Sequence, residues 1–146
     1  MHLSDRELNE IEKFEDFPNL EVVWFNNNKV GPLPNKFLQL KNLDGIAGNF
    51  RIKKVYVQNN QLTNLDGIKK FKFLDTLLAS HNRLKDLDKY LLYLAKFSFL
   101  EYLDLFGNPL AEEPDYRLKV IYTLPHVKVL DRHRKSKHPR SNCVLI

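Results

Sequence analysis

Leu100-Glu101-Tyr102-Leu103-Asp104-Leu105-Phe106-Gly107-Asn108-Pro109-Leu110 decides how this chain folds. Apolar residues stand at 100, 103, 105 and 110, and an asparagine stands at 108. The same eleven-residue phrase occurs three more times. It reads Leu20, Val23, Phe25, Asn28, Val30; then Ile52, Val55, Val57, Asn60, Leu62; then Leu74, Leu77, Ala79, Asn82, Leu84. The alternation within each phrase is that of a short strand buried on one face. The asparagine turns the chain out of the strand. Stacked copies would form a ladder in which each side-chain amide satisfies backbone groups of neighbouring turns that sheet pairing cannot reach.

This is the leucine-rich-repeat signature. It predicts an α/β fold: a right-handed solenoid with a parallel sheet on its concave face. About five repeats are expected, the first degenerate, closed by a C-terminal helical cap.

The links between strands repeat as well. Leu62-Thr63-Asn64-Leu65-Asp66-Gly67-Ile68 nearly duplicates Leu40-Lys41-Asn42-Leu43-Asp44-Gly45-Ile46. From Ile52 to Leu74 the spacing is 22 residues, short enough that the convex side should be a turn or 3₁₀ segment. From Leu74 to Leu100 it is 26, and Leu87, Leu91, Leu94 and Phe97 follow helical spacing, so a helix is expected within Asp86–Phe97. From Leu20 to Ile52 it is 32, with Gly31–Leu40 (GPLPNKFLQL) as the surplus. Its prolines and glycine predict a loop, either a tolerated bulge or a partner contact.

At the N-terminus, Leu3-x-x-Arg6-x-Leu8 imitates the end of a strand phrase with arginine in the asparagine position, and Leu8, Ile11, Phe14 and Phe17 lead to Leu20. Ser4-x-x-Glu7 reads alternatively as a capping box opening a short helix. At the other end, Glu112, Glu113 and Pro114 predict a helix entry. Tyr116, Val120, Ile121 and Leu124 would share the packed face, with Arg117 and Lys119 outside it. Pro125 ends the helix, and Val127-x-x-Leu130-Asp131 reads as a last short strand.

Asn108-Pro109-Leu110, Asp115-Tyr116-Arg117, Ile121 and Leu124-Pro125-x-Val127-x-x-Leu130-Asp131 resemble the terminal cap of intracellular leucine-rich-repeat proteins. That class includes the axonemal outer-arm dynein leucine-rich light chain, the spliceosomal A-prime protein, the nuclear regulatory subunit of protein phosphatase 1 and tubulin cofactor E. The resemblance runs from Leu8 to Asp131, and the repeat count and link style most resemble ciliary members. It implies a cytoplasmic setting, in the cilium or axoneme or on the cytoskeleton, ahead of the nucleus.

Composition agrees with an intracellular domain. One cysteine allows no internal disulfide, no run reaches the length of a membrane span, and MHLSDRELNEIEKF lacks the apolar core of a secretory signal. The net charge of +5 is local: Arg132, Arg134, Lys135, Lys137 and Arg140 follow Asp131 with no acid among them, leaving 18 basic and 18 acidic residues elsewhere. Residues 1–131 therefore read as a neutral repeat domain, with the cap at 109–131, and residues 132–146 as a basic, disordered tail. A neutral body does not predict direct nucleic-acid contact.

The residues between the consensus positions should face the concave surface. Three rows result: Val22, Lys54, Thr76 and Tyr102; Trp24, Tyr56, Leu78 and Asp104; Asn26, Gln58, Ser80 and Phe106. Aromatic anchors among amides have the composition of a binding hot spot, so a protein partner is expected there. The alternative is that these side chains only cover the sheet.

Catalysis finds little support. His2, His81, His126, His133 and His138 show no zinc spacing with one another or with Cys143, and no phosphate loop is present. His81 should face the concave side beside Ser80, without a nucleophile set. No metal or cofactor is expected. Cys143-Val144-Leu145-Ile146 forms a prenylation-like ending after the basic run, though isoleucine is not a usual final residue. Three functions follow: a non-enzymatic adaptor binding a protein on its concave face; the same adaptor tethered by a lipid on Cys143, with weak membrane contact through the basic tail; and a ribonucleoprotein scaffold.

Overall fold

The structure is a computed structural model, and it describes residues 1–6, 17–28, 43, 46, 48–76 and onward to 134. The Gly31–Leu40 surplus, the Leu8–Phe14 link, His138 and Cys143 lie outside the described residues.

Each phrase forms a short strand where expected. The strands are β1 (Val22–Trp24), β2 (Lys54–Tyr56), β3 (Thr76–Leu78), β4 (Tyr102–Asp104) and β5 (Val129–Leu130). They stack in chain order and in parallel, with Val23, Val55, Leu77, Leu103 and Leu130 in one register line. That line points into the core together with Phe25, Val57, Ala79 and Leu105. The chain before β1 joins the same sheet: His2 bridges Trp24 in parallel, and the Leu3 N–H donates to the Trp24 carbonyl at 2.7 Å. Arg6 thus falls in the asparagine position, where its N–H donates to Asn28 Oδ1 at 3.1 Å. The Ser4 hydroxyl donates to Asn26 Oδ1 at 2.7 Å.

The asparagine ladder is built from these phrases. Asn82 Nδ2 donates to the Ala79 carbonyl of its own repeat at 3.0 Å and to the Val57 carbonyl of the preceding one at 2.9 Å. Its Oδ1 accepts from the Leu62 N–H at 3.0 Å. Asn108 repeats the pattern toward Leu105, Ala79 and Leu84. Asn60 makes the two donations, to Val57 and Phe25, but its buried Oδ1 has no partner among the described residues. The residue just before each ladder asparagine sits in the left-handed region: Asn27, Asn59, His81 and Gly107 have φ of 58°, 57°, 55° and 68°. Asparagine and glycine tolerate that conformation best.

On the opposite side of the core the links are short. Asp66–Ile68 forms a 3₁₀ turn in which Gly67 lies against the Leu43 backbone; a Cβ there would sit 2.1 Å from the Leu43 carbonyl oxygen. The Asp66-Gly67-Ile68 link needs its glycine for this close approach. The longer link forms α1 (Leu87–Leu94), which buries Leu87, Tyr90, Leu91 and Leu94.

The cap departs from expectation in detail. Helix α2 (Tyr116–Thr123) starts after a left-handed Asp115, and Pro109–Glu112 form a separate 3₁₀ turn. Glu113 does not enter a helix of its own. It accepts the Leu87 N–H at 2.9 Å and so caps α1 of the preceding repeat. Tyr116, Val120 and Leu124 are buried, but Ile121 is only half-buried, because the i, i+4, i+8 stripe takes the contact. Lys119 turns toward α1 and pairs with Asp88 at 3.3 Å.

The sheet continues past Asp131, into the segment read as tail. His133–Arg134 form β6, antiparallel to β5. Asp131 and Arg132, both left-handed at φ 50° and 67°, make the reversal. Asp131, in register with Asp104, closes the end of the sheet with its side chain: its Oδ1 accepts the Leu105 N–H at 2.9 Å and the Tyr116 hydroxyl at 3.3 Å. Burial holds its carboxyl above the ordinary carboxylate range, against the pull of those two donors.

Candidate functional site

The outward residues of the parallel strands form one continuous face. Strand alternation turns Val23 and Phe25 inward, so Trp24 must point out, and the in-register pairing of β1 and β2 places Tyr56 directly beside it. The two rings stack at 5.3 Å between centroids and 3° between planes. His2 stacks on the far side of Trp24 at 5.7 Å and 29°. Leu78 continues the row on β3. Trp24, Tyr56 and Leu78 are all half-buried and lie outside the core cluster.

Not every residue expected on this face is available. Thr76 is buried between the longer Lys54 and Tyr102 on either side, and its hydroxyl donates to Asp75. Ser80 keeps only 1% of its surface and Asp104 only 2%. Asp104 is covered by the chain reversal after β5, where the Arg132 guanidinium comes within 3.6 Å of its carboxylate. Short side chains on this sheet are shaded by long neighbours, and a partner would not reach them. Val22, Lys54, Asn26 and Gln58 remain half-buried, while Tyr102 and Phe106 are exposed at 44% and 60%. The Lys54 ammonium is held by Asp75 at 3.2 Å. Phe106 meets His81 edge-on at 5.5 Å, so His81 belongs to the same face.

His2 was not among the residues expected here. The signal was present, since reading Leu3 and Arg6 as a strand phrase puts residue 2 in the Trp24 row. A second apolar feature was also missed: Phe73 and Phe99 lie 6.1 Å apart, exposed beside Tyr102. Its trace in the sequence is the phenylalanine that immediately precedes both Leu74 and Leu100.

The accessible members of the face are aromatic, aliphatic and amide groups together with the Lys54 ammonium, and among the described residues no three His, Cys, Asp or Glu side chains gather as a metal set.

The sequence profile of the leucine-rich repeat matches residues 33–143. This chain belongs to the leucine-rich-repeat family. Among curated relatives it is similar to U2 small nuclear ribonucleoprotein A' of Mycosarcoma maydis, at 33% identity over 139 residues, 90% of this chain and 53% of that protein. It is also similar to the human leucine-rich melanocyte differentiation-associated protein, at 31% identity over 121 residues, 72% of this chain and 60% of that one. The chain thus spans little more than half the length of these leucine-rich-repeat relatives. A solved structure of the Drosophila melanogaster SNF/U2A' complex holds a chain that matches with a TM-score of 0.68 at 18% identity, covering 97% of this chain and 89% of that one. At that identity the likeness is one of fold. The leucine-rich repeat and the kinship with spliceosomal A-prime agree with the resemblance carried by the cap residues.

Proposed function

We propose that this leucine-rich-repeat domain is a non-enzymatic adaptor that docks a protein partner on its outward sheet face. The stacked row His2, Trp24 and Tyr56 carries the reading. Three flat rings held rigidly in register offer a large apolar contact at small entropic cost, as binding hot spots do. Leu78 and the Phe106–His81 pair extend the contact along the strands.

The setting we infer is a ribonucleoprotein assembly. The resemblance of the link style to ciliary proteins receives no support from the spliceosomal relatives, and those relatives favour the nucleus over the cilium or the cytoplasm. The U2A' chain of the solved complex is assembled with another protein, SNF. A protein contact of that kind suits a body with equal numbers of basic and acidic residues better than direct grip on RNA does. Lipid attachment at Cys143 falls on a residue outside those described, and no structural feature speaks for it.

Affinity capture from nuclear extract with the full chain tests the reading. The expected result is a defined protein retained by the wild type and lost with Trp24→Ala/Tyr56→Ala. Equal retention by both would remove the proposal. Capture of RNA that survives protease treatment of the extract would place the contact on nucleic acid instead.

A further inference from the structure

Helix α1 carries residues that its packing does not require. Its inward stripe is Leu87, Tyr90, Leu91 and Leu94. Leu92 points the other way and is 73% exposed. Lys89 stands three residues before it and Lys96 four after, both exposed, so a leucine sits between two ammonium groups on the outer side of the helix.

Beside this stripe lies a depression of about 490 Å³, bounded by α1 on one side and by Asp66 and Lys69 of the neighbouring 3₁₀ turn on the other. Tyr90 and Tyr93 line it. Their hydroxyls are already committed to the repeat below, donating to the Thr63 carbonyl at 3.4 Å and the Leu65 carbonyl at 2.9 Å. What remains for a ligand is ring carbon.

The charge around it is unbalanced. Three lysines face one aspartate, and that aspartate is engaged by Lys69 at 2.8 Å. Neither Lys89 nor Lys96 has an acidic partner among the described residues. Lys70 and Lys72, both exposed, continue the basic surface along the adjoining link.

We propose that this depression is a second docking site, and that it takes an acidic peptide segment carrying an apolar anchor. The apolar floor and Leu92 would receive the anchor, and Lys89 and Lys96 the flanking carboxylates. RNA suits the surface less well. Tyr90 is buried, and Tyr93 is half-buried and packed edge-on against Tyr90 and Phe97, so the floor offers ring edge to an apolar side chain but no open pair of faces on which successive bases could stack. The site lies across the core from the Trp24–Tyr56 row, so the two faces can be occupied together.

Fluorescence anisotropy on the full chain tests this. The probe is a labelled peptide with a central Leu-Phe pair flanked by glutamates. Comparison peptides replace the glutamates with lysine or the apolar pair with serine, and a single-stranded RNA of similar length is run beside them. The acidic apolar peptide is expected to bind and both comparison peptides to fail. Lys89→Glu/Lys96→Glu and, separately, Leu92→Ser should each weaken binding about tenfold, while Trp24→Ala leaves it unchanged. Lys89→Gln/Lys96→Gln, which removes charge without reversing it, should weaken binding in the same direction. No binding of the acidic peptide, equal binding by the lysine variants, or RNA binding tighter than the peptide and lost in those variants would each overturn the proposal.

Discussion

The indole of Trp24 and the phenol ring of Tyr56 lie face to face, 5.3 Å apart and 3° from parallel, on adjacent strands in exact parallel register. Neither ring belongs to the core. Removing both should therefore cost the fold little more than the stacking itself, about 1 kcal/mol. Partner binding should lose about 2 kcal/mol or more for each ring. Urea denaturation and titration of the captured partner measure the two quantities separately. A large loss of stability would place the rings in the fold rather than in recognition.

The ladder predicts an order among its own members. Asn82→Ala removes one of the two asparagine donations that the Val57 and Ala79 carbonyls each receive, a third donation to the Ser80 carbonyl, and the acceptor of the buried Leu62 N–H. It should destabilise the domain by about 3 kcal/mol or more. Asn60→Ala removes donations to three carbonyls, Phe25, Val57 and Gln58, the first two of which keep another asparagine donor, and takes an acceptor from no N–H among the described residues. It should cost about 1 kcal/mol less. Chemical denaturation of the two variants side by side checks the difference.

Two glycines should respond differently to one methyl group. At Gly67 the new Cβ meets the Leu43 backbone, which cannot turn aside. Gly67→Ala should cost about 3 kcal/mol. At Gly107 the obstacle is the His81 side chain, 2.5 Å from the Cβ, on a left-handed backbone at φ 68°. Gly107→Ala should cost about 2 kcal/mol, chiefly for the backbone, and His81→Ala should recover the remainder that comes from the clash. Thermal unfolding of the single and double variants reads both effects.

Asp131 predicts a pH dependence with a definite sign. Its carboxyl binds a proton more tightly in the folded chain than its ordinary value of 3.8 allows. The folded state therefore holds more protons than the unfolded state above that value. This group's contribution to stability is greatest in acid and declines as pH rises through its raised pKa. Asp131→Asn keeps an oxygen that can accept from the Leu105 N–H and the Tyr116 hydroxyl, and it cannot ionise. The variant should melt higher than the wild type near neutral pH, with the gap closing toward about pH 4. A wild type that melts higher near neutrality would show that the ionised carboxylate is the favoured form.

The repeats were legible because they are written in side chains with one possible job. Period-2 apolar residues followed by asparagine fix strand, register and ladder together, and Leu87, Leu91 and Leu94 fix a helix. What stayed hidden depended on contacts between repeats. Glu113 reads as the start of its own helix, yet it caps α1 across the repeat boundary. Asp104 reads as an outward strand residue, but the return of the chain at Asp131 and Arg132 covers it. Three of the twelve residues expected on the outward face, Thr76, Ser80 and Asp104, are buried for the same reason. Alternation says which way a side chain points, but only its neighbours decide whether anything can touch it.

The antiparallel course of β6 has an implication for engineering. A further turn of this coil requires a strand edge running in the same sense as its own, and the reversal at Asp131–Arg132 removes that edge beside β5. The edge at Met1–Leu3 keeps it. Grafted repeats should therefore lengthen the array when fused ahead of Met1, whereas repeats appended after Arg134 would meet backbone of the wrong polarity.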